Sequence, residues 1–193
     1  MSRKVLLIDM RNEAESSLKR TFNELGYEIE NSLSDVTAID DRLKTDKQIQ
    51  HVVITIDTPT ESFFKVVGNA TKLHAVPFIV FTKNSTTQFT EEAATIGISA
   101  YIVNGFEPGR LQHIMDLSKA RFKELKAIKT ELEKTKSSLA ERKVIEKAKG
   151  ILMRRRSIDE DAAFQMMRKM AMDKNQKLAE VAKNIVHVDT LFT

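Results

Sequence analysis

The fold is decided by a short apolar stretch, HVVITI at residues 51–56, in the first half of the 193-residue chain. A run rich in Val and Ile and bounded by polar segments is typical of a strand that is covered on both faces. Comparable runs predict four more strands, at residues 4–8, 27–31, 77–81 and 100–103. Helical spacing of apolar residues predicts helices between the strands, at residues 13–25, 35–45, 61–70 and 91–96. This alternation predicts a doubly wound α/β domain with a five-stranded parallel sheet.

A long helix is predicted from residue 110 onward, where the composition changes. Neither Gly nor Pro occurs between Gly109 and Gly150, and many charged residues surround a narrow apolar stripe. The spacings of 3, 4 and 7 within the stripe are typical of a coiled-coil seam, and its members are Leu111, Met115, Phe122, Leu125, Ile128, Leu132 and Leu139. Thr135 and Lys136 interrupt the seam. We therefore expect a coiled-coil-like helix over residues 110–140 that forms a homodimer with help from its flanking domains.

The last segment, residues 141–193, predicts a small all-α bundle of three helices. Ser157 and Glu160 form an S-x-x-E pattern, which predicts a capping box at the start of the second helix. Asn175 is placed to cap the third helix. Met fills irregular gaps in a core, and the predicted core residues of this bundle include Met153, Met166, Met167, Met170, Met172, Ala163 and Phe164.

Charge is distributed unevenly along the chain, whose formal net charge is +4. Residues 1–109 contain 11 Lys and Arg against 15 Asp and Glu, whereas residues 110–193 contain 20 against 12. Such asymmetry suggests an acidic domain joined to a part that meets a polyanion, although a solvated basic helix surface gives the same count. We expect three parts, namely a domain at 1–109, the long helix at 110–140 and the bundle at 141–193.

Several classes of function lack support in the sequence. The absence of Cys excludes disulfide scaffolds, thiol nucleophiles and thiolate metal sites. The four His residues are scattered without an i, i+4 pair, and neither a phosphate-binding glycine motif nor a nucleophile elbow occurs. We therefore expect neither enzyme activity nor a metal ion or other cofactor. No apolar run is long enough for a signal segment or a membrane span, so we expect a cytoplasmic protein without membrane contact.

Polar residues follow the predicted strands at the edge of the sheet where doubly wound domains bind their ligands. They are Asp9 after the first strand, Thr55 and Asp57 at the end of the third, and Thr82 and Asn104 at the ends of the fourth and fifth. This pattern resembles the receiver domain of response regulators, which has a flavodoxin-like fold. The resemblance implies a site in which acids at the first and third strands bind Mg²⁺ and the third-strand acid accepts a phosphoryl group.

The same positions depart from the receiver pattern in ways that affect this chemistry. Met10 stands where a second acid is expected, and Asn104 stands in the place of a Lys. The residue four positions before Pro59, where the phosphoacceptor is expected, is Thr55. Moving the register to Asp57 restores neither the second acid nor the Lys, and Mg²⁺ prefers several hard oxygen ligands. We therefore expect a receiver that has lost phosphorylation and whose remaining acids bind loop amides, with the acceptor capacity of Asp57 left open.

The bundle sequence resembles the ANTAR domain, which is named for amidase and nitrate-assimilation antitermination regulators. The resemblance rests on ERKVIEKAKGILM at 141–153, DAAF at 161–164 and MRKMAMDKNQKLAEVA at 167–182. It implies binding of hairpin RNA in nascent messenger leaders, which prevents a terminator from forming. Cations bind phosphates and Asn can read a base edge, and the predicted RNA-binding residues are Lys147, Lys149, Arg154, Arg155, Arg156, Arg168, Lys169, Lys174, Asn175 and Lys177.

Other interpretations stay open at this point. The run 154–156 lies near a helix C-terminus, where arginines also complement the helix dipole, and Asn175 is also explained as a helix cap. For the whole chain, the leading hypothesis is a dimeric antiterminator that is controlled by a ligand-sensing protein. The alternative is a DNA-binding two-component response regulator gated by phosphorylation, and a third class is a protein–protein adaptor without a nucleic-acid ligand.

Overall fold

The computed structural model describes residues 3–11 and 15–191 and divides the chain into two compact units, Met1–Lys126 and Ala127–Thr193. The first unit alternates strands and helices in the order β1 (Arg3–Asp9), α1 (Glu15–Glu24), β2 (Tyr27–Leu33), α2 (Ile39–Thr45), β3 (Ile49–Ile56), α3 (Glu61–Leu73), β4 (Phe78–Thr82), α4 (Thr87–Thr95) and β5 (Ala100–Val103). Helix α5 (Leu111–Arg156) runs from this unit into the second, where it is followed by α6 (Glu160–Asp173) and α7 (Leu178–Leu191).

The five strands form one parallel sheet in the order β2-β1-β3-β4-β5. Strand β3 is central, and its Val52 pairs with Leu6 of β1 and with Phe78 of β4. This topology confirms the predicted doubly wound domain, and the strand ends differ from the predicted ranges by at most two residues. Helix α4 begins earlier than predicted because the Thr86 side chain accepts a hydrogen bond from Phe89 N and caps it there.

Both faces of the sheet are covered, which explains why its central strands are apolar throughout. Side chains alternate along a strand, so that Val52 of β3 belongs to one buried cluster and Val53 to the other. The first cluster includes residues of α2, α3 and α4. The second is closed by Phe22 of α1 and by Leu111 and Met115 of α5, so the first turns of the long helix are part of this core.

The second unit has a core of its own where α5, α6 and α7 meet. Ala148, Ala163 and Ala182, one from each helix, are fully buried in one cluster with Met167. The distance between packed helices depends on the side chains at their contact, and alanines permit a short one. Met167 thus takes the predicted core role, but the prediction is wrong for Met172, which is 73% exposed.

The two turns of this bundle differ from the predicted capping. Ser157 follows α5 with a left-handed φ of 52°, so the capping box predicted at this residue is wrong. The cap of α6 is Asp159, whose carboxylate accepts a hydrogen bond of 2.7 Å from Ala162 N. Asn175, at φ 49°, ends α6 instead of capping α7, and its backbone N donates to Met172 O at 3.1 Å. Asn adopts left-handed backbone more readily than most residues, which suits it to this position.

Helix α5 is continuous over 46 residues, in agreement with the predicted long helix. Five large apolar side chains along it are between 49% and 59% exposed, namely Leu117 and four members of the predicted seam, Leu125, Ile128, Leu132 and Leu139. A single chain leaves these four seam members uncovered. The seam prediction is wrong for Leu111 and Met115, which are buried in the core of the first unit. No helix in the described part of the chain combines the length and the apolar composition needed to cross a membrane.

A buried histidine lies on the central strand of the first unit. His51 is only 2% exposed, and its ring meets the Tyr27 ring edge-on with the centroids 6.1 Å apart. Neither ring nitrogen has a hydrogen-bond partner among the described residues. Burial lowers the pKa of His51 to about 4, and the positive charges of Lys119 and Arg3 act in the same direction, against Asp116. The His51 ring is therefore neutral in the folded protein at neutral pH.

We expect His51 to weaken the fold in mild acid. Below its ordinary pKa of 6.5, the unfolded chain binds a proton that the folded chain does not bind until about pH 4. The free energy of unfolding therefore falls by about 2 kcal/mol between roughly pH 7 and pH 4.5. Urea unfolding at both pH values should show that His51→Leu removes this loss, whereas His113→Gln, at an exposed site, keeps it. An unchanged pH dependence in His51→Leu would contradict this assignment.

Candidate functional site

The receiver-type site lies at the carboxyl ends of β1 and β3, where Asp9 and Thr55 are register partners. Asp9 is 3% exposed and Thr55 is fully buried. The Thr55 hydroxyl donates a hydrogen bond to Asp9 Oδ1, which also accepts one of 3.1 Å from Arg11 N. Asp9 Oδ2 has no hydrogen-bond partner among the described residues. Asp9 therefore binds a loop amide, as expected, and a neighbouring strand hydroxyl as well.

The other three predicted residues of this site are held differently. The buried Thr82 hydroxyl lies 3.0 Å from Asp57 O and 2.8 Å from Asn84 O, and it donates to these carbonyls. The Asp57 side chain is 53% exposed and pairs with Lys83 Nζ at 3.0 Å, so the expectation that this carboxylate binds loop amides is wrong. Its carbonyl oxygen accepts those amides instead. Asn104 is exposed with a left-handed φ of 72°, and no described hydrogen bond joins its side chain to the other four residues.

The donors at this edge of the sheet do not fit a magnesium ion beside a phosphoryl group. Mg²⁺ takes several hard oxygen ligands and is usually anchored by one or two carboxylates. Asp9 is the one buried carboxylate of the predicted set, Met10 offers a thioether, and the Thr55 hydroxyl occupies the position expected of the acceptor. Within residues 3–11 and 15–191, no group of three or more His, Cys, Asp or Glu side chains is arranged to hold a metal ion.

Lys149 of the bundle is bound within the protein. Its side chain is 11% exposed, and Nζ lies 2.8 Å from Glu146 Oε1 and 2.6 Å from Glu160 Oε1. Hydrogen bonds to the two carboxylates raise the pKa of Lys149 above its ordinary value. Because Glu160 is the first residue of α6, this ion pair joins α5 to α6. The ammonium group of Lys149 is thus bound by two acids of the protein, and its contact with RNA stays a prediction.

Arg155 also makes an internal contact. Its Nε and Nη2 atoms lie 2.9 Å and 2.8 Å from Asp189 Oδ1, which joins the end of α5 to α7. About half of the Arg155 side chain stays exposed. Arg155 therefore stabilises the bundle through its contact with α7. This contact supports the structural interpretation of the run 154–156 more than the RNA-binding interpretation.

The remaining predicted cations are exposed. Their side chains make no ion pair or hydrogen bond with any described residue, and they are Lys147, Arg154, Arg156, Arg168, Lys169, Lys174 and Lys177. An exposed cation without an acidic neighbour keeps its charge available for an external anion. Of the nine predicted RNA-binding cations, Lys149 and Arg155 therefore make contacts within the protein, and the other seven are available to an external anion.

Two open concavities bring subsets of these residues together at the turn between α6 and α7. One, of about 620 Å³, is lined by Phe164, Arg168, Ala171, Met172, Asn175, Gln176, Lys177 and Leu178. The other, of about 430 Å³, includes Arg155, Arg156, Lys174 and Gln176 beside apolar residues of all three helices. Lys147, Arg154 and Lys169 line neither concavity. Gln176 belongs to both, so the turn separates the two surfaces.

Two residues of the larger concavity lie at the surface, although the sequence predicts them in the core. Phe164 is 37% exposed and Met172 is 73% exposed. A signal for this was present, because Phe164, Arg168 and Met172 are spaced i, i+4, i+8 and so share a helical face. That face is distinct from the one that Ala163 and Met167 bury.

Comparison with known proteins gives independent matches for both units. Residues 133–186 match the ANTAR domain. The Transcriptional regulatory protein PdtaR of Mycobacterium tuberculosis is 27% identical over 191 residues, which cover 99% of this chain and 92% of that protein. The Nitrate regulatory protein of Klebsiella oxytoca is 40% identical over 81 residues, which cover 42% of this chain and 20% of that protein.

Solved structures match the fold of the first unit. A CheY-like response regulator receiver domain protein from Methanospirillum hungatei JF-1 superposes with a TM-score of 0.56 at 16% identity, covering 64% of this chain and 98% of the other. A response regulator receiver domain protein from Clostridium thermocellum gives a TM-score of 0.54 at 18% identity with the same coverages. At such identities the likeness establishes the receiver fold alone.

The fold and the matches together define a class of regulatory protein, in which a receiver-like domain precedes a small helical domain. Within that class the chain is similar to ANTAR-domain response regulators, with the ANTAR match over residues 133–186 and a relative named as a transcriptional regulatory protein along almost its whole length.

Proposed function

We propose that this regulator binds hairpin RNA in nascent messenger leaders through its C-terminal unit and thereby prevents transcription termination. The observation that supports this most is the set of exposed, unpaired cations within the span matched by the ANTAR domain. Neutralising phosphates with such cations releases counterions from the nucleic acid, which provides affinity without sequence specificity. Specific RNA recognition then comes from unpaired loop bases, because the deep groove of an RNA helix is closed to side chains.

Charge variants of the bundle test RNA binding directly. Arg156 and Lys174 line one concavity, and replacing both with Ala should weaken hairpin binding roughly ten-fold and reduce the slope of log affinity against log salt by about 2. The matched control replaces Lys123 and Lys129, two exposed lysines of α5 outside the bundle core, and should change affinity much less. Filter binding of hairpin RNA and of duplex DNA with the same sequence provides the measurement.

Two results would contradict the proposal. Tighter binding of the duplex DNA than of the hairpin RNA would favour a DNA-binding regulator. If both double variants bind the hairpin with equal affinity, the surface around Arg156 and Lys174 does not bind the RNA.

The proposal includes control of the receiver by a ligand-sensing protein instead of phosphorylation. Two contacts support it, since Thr55 stands at the acceptor position and donates to Asp9, while the Asp57 carboxylate pairs with Lys83. A site with one buried carboxylate is a poor anchor for a dication beside a phosphoryl group. The surplus of acids in residues 1–109 offers such a partner a negatively charged surface.

Incubation with acetyl phosphate and Mg²⁺ followed by intact mass measurement tests this part. We expect the mass of the full chain to stay unchanged, because the donors needed to hold Mg²⁺ beside an acceptor are missing. A phosphorylatable receiver protein in the same tube is the positive control. A stoichiometric adduct on the unaltered chain that is absent from Asp57→Asn would show that Asp57 is an active acceptor and would support phosphorylation gating.

We also propose that the chain forms a homodimer through residues 110–140, between domains at 1–109 and 141–193. Leu125, Ile128, Leu132 and Leu139 support this, because a helix seldom exposes so many large apolar side chains in a single stripe. A second copy presents the same stripe and covers it symmetrically. Two linked bundles would hold two hairpins of one leader, since linkage raises the effective concentration of the second bundle.

A further inference from the structure

The larger concavity of the bundle combines an apolar floor with a cationic and amide rim. Its apolar members come from α6 and the start of α7, and they are Phe164, Ala171, Met172 and Leu178. Its polar members are Arg168, Asn175, Gln176 and Lys177, and none of the eight lining residues is acidic. The volume of about 620 Å³ falls within the range of sites that bind small organic groups.

The floor and the rim indicate the chemistry of the occupant. Phe164 and Met172 expose large apolar surfaces next to two cations, Arg168 and Lys177, whose side chains have no partner among the described residues. A flat, apolar group attached to an anion complements such a surface. A nucleobase with its adjoining phosphates has this combination, and base–aromatic stacking is a principal term in the binding of unpaired nucleotides.

The two amide side chains stand on a turn that is fixed by backbone hydrogen bonds. Asn175 N donates to Met172 O at 3.1 Å, and Gln176 N donates to Ala171 O at 2.9 Å. The left-handed φ of 49° at Asn175 turns the chain sharply at this point. The turn therefore fixes the backbone of both lining residues before any ligand arrives, which lowers the entropic cost of binding.

We propose that this concavity holds one unstacked loop base of the bound hairpin. Phe164 stacks on the base, Arg168 and Lys177 bind the flanking phosphates, and the amides of Asn175 and Gln176 face the base edge. The inference rests on the proposed RNA binding and adds the face of the bundle that reads the loop. We expect exposed apolar residues that line neither concavity, such as Leu191, to take no part in base recognition.

The test uses the full chain and hairpins enriched from an RNA library with a constant stem and a randomised loop. Each loop base of an enriched hairpin is replaced in turn by an abasic nucleotide. One abasic position should lower the affinity of the unaltered chain roughly ten-fold, the loss of one stacked base. Phe164→Leu should lose affinity for the intact hairpin to a similar extent, with no further loss at that abasic position. Phe164→Tyr, which keeps the ring, should retain both the affinity and the sensitivity.

Leu191→Ala is the matched control, because Leu191 is also exposed and apolar and lines neither concavity. Thermal unfolding of each variant confirms that the bundle is intact. If Phe164→Leu binds the intact hairpin as tightly as the unaltered chain and stays sensitive to the same abasic position, the base lies elsewhere and the inference is wrong. If the library yields no enriched hairpin, the proposed RNA binding itself fails, and an apolar segment of a protein partner becomes the better occupant.

Discussion

The C-terminal unit depends on one buried cluster to which all three of its helices contribute small side chains. Ala148, Ala163 and Ala182 are fully buried there. The packing also brings acids of α6 and α7 within reach of basic residues on α5, so that Glu160 binds the buried Lys149 and Asp189 binds the half-exposed Arg155. The bundle thus neutralises two of its cations within the protein.

The cations that remain outside give the unit its proposed function. Breaking one of the internal pairs would leave acids without a partner at a helix contact, whereas removing an external cation would cost the fold little. Under the proposed function, affinity for RNA and stability of the bundle are carried by different members of one basic sequence. This division explains how a unit of this size can carry many positive charges and still fold.

In the first unit, too, residues predicted to form a functional site make contacts within the protein. Its sheet and helices superpose on receivers, but the contacts at the strand ends join Thr55 to Asp9 and Asp57 to Lys83. These contacts satisfy polar groups within the protein, where a metal ion and a phosphoryl group would otherwise need open ligands. They support the proposal that this receiver fold serves through its surface and not through phosphorylation.

The sequence predicted the sheet well because its central strands are buried on both faces and carry an unmistakable apolar pattern. It placed Asp9 and Thr55 at one edge of the sheet for the same reason, since parallel strands end together, but it did not predict the hydrogen bond between them. It failed for Met172, although the spacing of Phe164, Arg168 and Met172 marks one face of the helix. It also missed the ion pair of Lys149 with Glu160 on another helix, although the second partner, Glu146, lies three residues before Lys149. Such contacts between separate helices are not encoded in local spacing.

The most direct test of the account is the mass of the complex formed with an RNA that carries two hairpins in tandem, measured by light scattering during chromatography. We expect two protein chains on each RNA molecule and tighter binding of the tandem RNA than of either hairpin alone. The substitution Leu132→Lys in the exposed seam of α5 should separate the two chains. Independent binding of single chains with no gain from the second hairpin, or no binding at all, would contradict it.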